Sequence, residues 1–179
     1  MLENFVKVAD MPMEVIEKYR EKVPKELVRI WEEDGLGTFL DGYLKVINPD
    51  DYIDFVKETY FRGDEAIPIF ITSFGDILTW EKGKFVIQLS YKAENASVLM
   101  SGFDLFLMLL NDESFTDEYF DLKLYKKSII KFGSLLYDEC FGFVPILPLG
   151  GKKDVEHMDK VKIREHLALL VQFTGGLKD

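Results

Sequence analysis

Apolar residues recur at helical spacing in three stretches of the first sixty positions. Val15, Ile16 and Tyr19 fall on one face of a short helix whose start is marked by Pro12. Leu27, Val28, Ile30 and Trp31 do the same in a second helix, with Pro24 suited to its first turn and Asp34-Gly35 at its end. Gly35, Gly37 and Gly42 then loosen the chain before a short apolar strand over 43–47. Asn48-Pro49-Asp50-Asp51 predicts the start of a third helix: a capping Asn, a Pro at the first position, and two carboxylates at the positive end of the helix dipole. Tyr52, Ile53, Phe55, Val56 and Tyr60 form its expected buried stripe.

The period then falls from 3.6 to 2. Residues 67–73 are rich in β-formers, with Pro68 expected near the strand's start or on an edge. Residues 77–81 and 85–90 flank Lys82-Gly83-Lys84 and predict a hairpin, in which Leu78 and Trp80 match Phe85, Ile87 and Leu89 on one face. Residues 97–100 predict a further strand. Residues 103–110, apolar nearly all round, predict a helix buried beneath the sheet. Two more helices follow from Leu122, Tyr125, Ile129 and Phe132, ending at Gly133, and from Ile163, Leu167, Leu170 and Val171, ending at Gly175-Gly176. The apolar run 141–149 carries Pro145 and Pro148, which exclude a regular central strand and predict an extended segment over the core.

These elements define an α+β fold, with helices at both ends of a central antiparallel sheet of about four to six strands. Residues 1–110 are expected to hold the first helices and the sheet. Residues 111–179 are expected to form a helical segment packed on it as one unit. A chain of 179 residues can bury such a core without covalent staples, and 14% aromatic content argues against disorder.

Charge narrows the partners. Lys and Arg number 22 against 32 Asp and Glu, a net charge of −10. Nucleic acid and anionic membranes are bound through basic patches, so neither is the expected partner; the acidity suits either a basic protein surface or solubility alone. The apolar run near 103–110 is too short to span a bilayer, and the first residues lack the basic and apolar regions of a signal peptide, so a cytoplasmic location is expected. One cysteine, Cys140, excludes an intramolecular disulfide and a cysteine-based zinc site.

Candidate chemistry is sparse. Gly35-Leu36-Gly37 lacks the third glycine of a dinucleotide loop and follows a helix, so it reads as a helix exit. Glu156-His157 and Glu165-His166 carry the only histidines and match no metal-binding spacing. Cys140 with His166 could supply a nucleophile and base, but Asp138 and Glu139 beside the thiol oppose its ionisation, and a buried structural cysteine is expected. Ser73-Phe74-Gly75-Asp76 reads as a turn between strands, with Gly75 in the tight position and Asp76 bonding backbone. No catalytic constellation, metal site or cofactor is expected.

The acidic residues are uneven. Residues 32–65 hold ten acidic and three basic groups, net −7, while Asp112, Glu113, Asp117, Glu118 and Asp121 interleave with Phe115, Tyr119 and Phe120. Acidic groups mixed with aromatics are what a binder of a basic surface presents: charge for encounter, aromatic area for lifetime. The candidate partner-binding residues are therefore Glu32, Glu33, Asp34, Asp41, Asp50, Asp51 and Asp54, with Asp112, Glu113, Asp117, Glu118 and Tyr119. The competing reading of the second cluster is a solvated helix start with core aromatics.

The segments Val23-Pro24-Lys25-Glu26-Leu27, Gly35-Leu36-Gly37, Gly42-Tyr43-Leu44-Lys45-Val46-Ile47-Asn48-Pro49-Asp50-Asp51-Tyr52 and Ile69-Phe70-Ile71-Thr72-Ser73-Phe74-Gly75-Asp76 resemble the bacterial GAD-like domain family. Tyr137-Asp138-Glu139-Cys140-Phe141-Gly142-Phe143-Val144-Pro145, Leu149-Gly150-Gly151 and Glu165-His166-Leu167-Ala168-Leu169-Leu170 resemble the C-terminal domain of type VI secretion immunity proteins. The element order is distantly similar to the SUKH superfamily of immunity proteins. The resemblance implies a non-catalytic antitoxin that binds a cognate secreted toxin, often a nuclease, and it carries over no catalytic residues. A hydrolase reversing a toxin's modification and a housekeeping interaction module are the alternatives.

Overall fold

In the computed structural model, which describes residues 2–179, seven strands form one antiparallel sheet in which every strand pairs with its neighbours in sequence. They are β1 (Val6–Ala9), β2 (Leu36–Phe39), β3 (Leu44–Val46), β4 (Ala66–Thr72), β5 (Ile77–Glu81), β6 (Phe85–Ser90) and β7 (Asn95–Ser101). Helices α1 (Met13–Tyr19) and α2 (Lys25–Glu33) lie between β1 and β2, and α3 (Ile53–Thr59) between β3 and β4. After β7 come α4 (Phe103–Leu109), α5 (Glu113–Phe120) and α6 (Leu122–Phe132). A separate two-stranded ribbon, β8 (Glu139–Phe143) with β9 (Met158–Lys162), precedes α7 (Ile163–Thr174).

The fold is α+β with an antiparallel sheet, as expected, but the sheet is wider. Leu36–Phe39, read from its glycines as loosened chain, is strand β2, and β1 pairs with it. Gly37 makes that pairing possible: a Cβ there would lie 2.3 Å from the Val6 carbonyl oxygen and 2.6 Å from the Phe5 ring. The third helix opens as a single 3-10 turn, Pro49–Asp51, in which the Asn48 side chain accepts from the Asp50 N–H at 3.0 Å before α3 begins.

Both faces of the sheet are buried. Leu44, Val46, Phe70, Leu78, Trp80 and Val86 meet α1, α2 and α4 on one face. Ile71, Ile77, Ile87 and Leu89 meet α3 and α7 on the other. This overturns the expected hairpin pairing. In the observed register Leu78 lies opposite Gln88, Trp80 opposite Val86, and Thr79 opposite Ile87, so Phe85, Ile87 and Leu89 share a face with Ile77, Thr79 and Glu81 instead. With apolar cover on both sides, alternation does not say which parity matches which.

Pro68, the third residue of β4, lies near the strand's start, as expected. It stands opposite Thr79 of β5 but before the stretch 70–72 that pairs with β3, and the β4–β5 register shifts between Pro68 and Phe70. Helix α4 is amphipathic rather than buried all round: Phe103 and Phe106 are fully covered, while Met108 is 63% exposed.

The C-terminal elements enter the same core. Tyr43 packs on Phe120 (5.3 Å) and Tyr125 (5.2 Å), and Phe74 on Phe143 (6.3 Å). The Phe141 N–H donates to the Ser73 carbonyl at 2.8 Å. The Tyr137 hydroxyl donates to the Val46 carbonyl at 2.6 Å, and the Lys45 ammonium to the Leu136 carbonyl at 3.2 Å.

Candidate partner-binding site

The structure disperses the first acidic cluster. Glu32 pairs with Arg20 at 2.6 Å and Glu33 with Arg29 at 3.6 Å on the outer side of α2. Asp50 accepts from Lys18 at 2.7 Å and from the Tyr19 hydroxyl at 2.5 Å, tying α1 to the 49–51 turn. Asp51 pairs with Arg164 of α7 at 3.1 Å, and Asp54 is exposed beside Lys18 and Lys57 along a groove under α3. Asp34 is a correction: it is buried, accepting from the Leu2 N–H at 3.0 Å, so it presents nothing to a partner. Its position at the end of α2, next to apolar Gly35 and Leu36, put it under the N-terminal segment.

Asp41 leaves this group and joins the second cluster. The β2–β3 turn that carries it is held against α6 by the Tyr125 hydroxyl, which donates to the Asp41 carbonyl at 2.9 Å. Asp41 also shares a recess of about 400 Å³ with Leu110 and Asn111, immediately before Asp112.

Helix α5 sorts its residues cleanly. Asp112 is its cap, accepting from the Ser114 N–H at 2.8 Å and the Phe115 N–H at 3.2 Å. Phe115 and Phe120 are buried in the core, whereas Glu113, Ser114, Asp117 and Glu118 face solvent. Of the three aromatics only Tyr119 is half-exposed, against Phe115 at 4.9 Å. The helix thus carries an outward acidic stripe, and its other aromatics serve packing. Asp117 pairs with Lys123 at 2.9 Å, and Asp121 with Lys153 across the loop that follows β8.

Beside this stripe lies a cleft of about 290 Å³. Its floor is the feature that sequence reasoning missed. Asp76, expected to bond backbone, turns its carboxylate onto the Lys92 ammonium instead, and also accepts from Gln88 Nε2 at 3.1 Å. The turn's backbone is held by the Thr72 hydroxyl, which accepts from the Phe74 N–H (3.3 Å) and the Asp76 N–H (3.1 Å), while Gly75 takes the left-handed conformation (φ 79°). Asp76 and Lys92 are both largely buried, at 6% and 10% side-chain exposure. Nothing in their spacing of sixteen residues signals the pair. Glu118, Tyr119 and the Asp121–Lys153 pair form the mouth.

Cys140 and His166 do come together, on either side of Gly75: a Cβ at that glycine would lie 3.4 Å from Cys140 Sγ and 3.9 Å from His166 Cδ2. Their chemistry is that of a core. Burial pushes the Cys140 thiol up to about 12, away from thiolate. Burial, reinforced by nearby Lys92, pushes His166 down to about 4. Since unfolded His166 titrates near 6.5, the folded protein loses up to about 3 kcal/mol as the pH falls from 6.5 through 4. Urea titrations at pH 7 and pH 4.5 are expected to show this loss in the wild type and a flatter pH dependence in His166→Gln. An equal pH slope in both would refute it.

Glu156-His157 and Glu165-His166 are not gathered. His157 bonds Asp154 at 2.6 Å, and His166 is on the buried face of α7. Among the described residues, no group of three or more His, Cys, Asp or Glu could hold a metal ion, and no helix is long and apolar enough to cross a membrane.

The comparisons with known proteins follow the same layout. The GAD-like domain model matches residues 1–93, through β6, so the chain belongs to the GAD-like domain family. Residues 100–174 match the model described as T6SS immunity protein Tdi1, C-terminal, the family that the C-terminal motifs resemble. Residues 94–99, in the β6–β7 hairpin, separate the two matches, and the cleft is lined by residues of both. The crystal structure of Atu4351 from Agrobacterium tumefaciens has the same fold, with a TM-score of 0.77 at 17% identity over 96% of this chain and 84% of that one. No curated protein matches the chain.

Proposed function

We propose that this protein is an immunity protein, and that it neutralises a cognate secreted toxin by binding it through the acidic end of the molecule, where Asp41, Asp112, Glu113, Asp117, Glu118 and Tyr119 lie. The observation that carries this reading is the outward stripe of α5. Its exposed positions are acidic or serine while its apolar positions are spent on the core. A surface of this kind attracts a basic partner over a Debye length and sets the rate of encounter more than the final affinity. A nuclease cleft is basic because it binds phosphates, so a nuclease toxin would be blocked by such a surface as by a substrate mimic. The match of residues 100–174 to an immunity-protein model supports a role in binding rather than catalysis.

Reversing charge with Glu113→Lys and Asp117→Lys is expected to slow association with the toxin encoded beside this gene about tenfold at low salt and to flatten the salt dependence. Asp54→Lys, on a different face, serves as the comparison and should leave the rate unchanged. Stopped-flow association at two salt concentrations measures both. Equal rates for all three variants and the wild type would defeat the proposal.

A further inference from the structure

We infer that the mouth of the cleft between the two family segments receives a basic side chain of the toxin, an arginine by its geometry, which displaces Lys153 from Asp121. The inference rests on the proposed function and extends it from a surface to a specific anchor. At about 290 Å³ the cleft is at or below the small end of small-molecule pockets, which start near 300 Å³, so its mouth rather than its interior is the place for a partner's side chain. Its floor is closed to a cation. The Asp76 carboxylate is already taken up by Lys92, Gln88 and Thr72, and Lys92 itself repels positive charge.

The mouth is different. Glu118 has no ion pair among the described residues, Asp121 is paired only with Lys153, and the half-exposed Tyr119 ring stands beside them. A planar guanidinium matches two neighbouring carboxylates and an aromatic face better than any neutral group does. Lys153 holds one of those carboxylates in the free protein as a removable stand-in. Both members of that pair are about half exposed, 54% and 45%, so little is lost when it opens. Asp121 adopts a left-handed backbone (φ 52°), which fixes the carboxylate at the α5–α6 junction and tolerates Asn equally well.

The displacement predicts opposite effects from neighbouring substitutions. Lys153→Met frees Asp121 in advance and is expected to tighten binding of the adjacent-gene toxin by up to about fivefold, the worth of a surface pair. Glu118→Gln with Asp121→Asn removes the charged acceptors and is expected to weaken binding at least about tenfold. Calorimetry against that toxin, with thermal melts to show that each variant is folded, reads all three proteins. If the wild type binds while Lys153→Met is unchanged or weaker, the displacement is overturned and the acidic surface survives. If the wild type binds and the Glu118/Asp121 variant binds as well, the anchor is overturned in the same way. If the wild type does not bind, the proposed function falls and the anchor with it.

Discussion

Replacing Asp76 with alanine is expected to cost the folded protein about 3–5 kcal/mol, a large part of the stability of a domain this size. The reason lies in what remains. Lys92 is 10% exposed and would be left with only a 3.5 Å contact to the Ser90 hydroxyl, while the Gln88 amide would lose its acceptor. Breaking a buried pair from one side leaves an uncompensated charge, whereas removing both charges together leaves none. The double variant Asp76→Leu with Lys92→Met is therefore expected to lie within about 1–2 kcal/mol of the wild type, recovering most of the loss. Urea unfolding of the single and double variants forms the cycle. A cost below about 1 kcal/mol for Asp76→Ala would mean that water screens the pair at the cleft floor.

Phe141→Ala carries an expected loss of similar size, about 3–5 kcal/mol. Phe141 is fully buried, with its ring 6.3 Å from Phe74, 6.3 Å from Tyr125 and 5.9 Å from Phe132, so truncation opens a cavity where the ribbon, α6 and the β4–β5 turn converge. On a chain of this length the melting temperature should fall by roughly 10 °C. Val144→Ala, at a position 56% exposed and only three residues further on, should change stability by less than about 0.5 kcal/mol. Equal losses at the two positions, read by thermal melts, would mean that the ribbon is not anchored through this ring.

The sequence was most legible where a residue type has one local use. Pro12 and Pro24 precede α1 and α2, Asn48 caps the 49–51 turn, and Gly133 and Gly175 follow the ends of α6 and α7, each as its backbone requirements dictate. It was least legible in the sheet. Strand β2 contains a glycine that loops also favour, and only the approach of Phe5 and Val6 gives Gly37 its reason. The β5–β6 register was ambiguous because α1, α2 and α4 cover one face and α3 and α7 the other, so both parities of each strand are buried, polar residues such as Thr79, Glu81 and Gln88 included.

The candidate site divides in the same way. Net charge and the interleaving of acids with aromatics over 112–121 can be read from the chain, because they depend on residue types alone. The turning of Phe115 and Phe120 into the core, which leaves an acidic stripe outside, belongs to helix α5 and its packing. Which acids stand together depends on distance in space. Asp41 joins α5 through the Tyr125 hydroxyl, Asp34 is buried under the N-terminal segment, and Asp50 and Asp51 are taken by Lys18 and Arg164, from helices far away in sequence. The Asp76–Lys92 floor belongs wholly to the tertiary structure, since two turns must meet before either charge finds the other. Local backbone preferences act within a few residues and are written in the sequence. Pairing, burial and clefts are set by how the sheet's two covered faces and the C-terminal ribbon pack together.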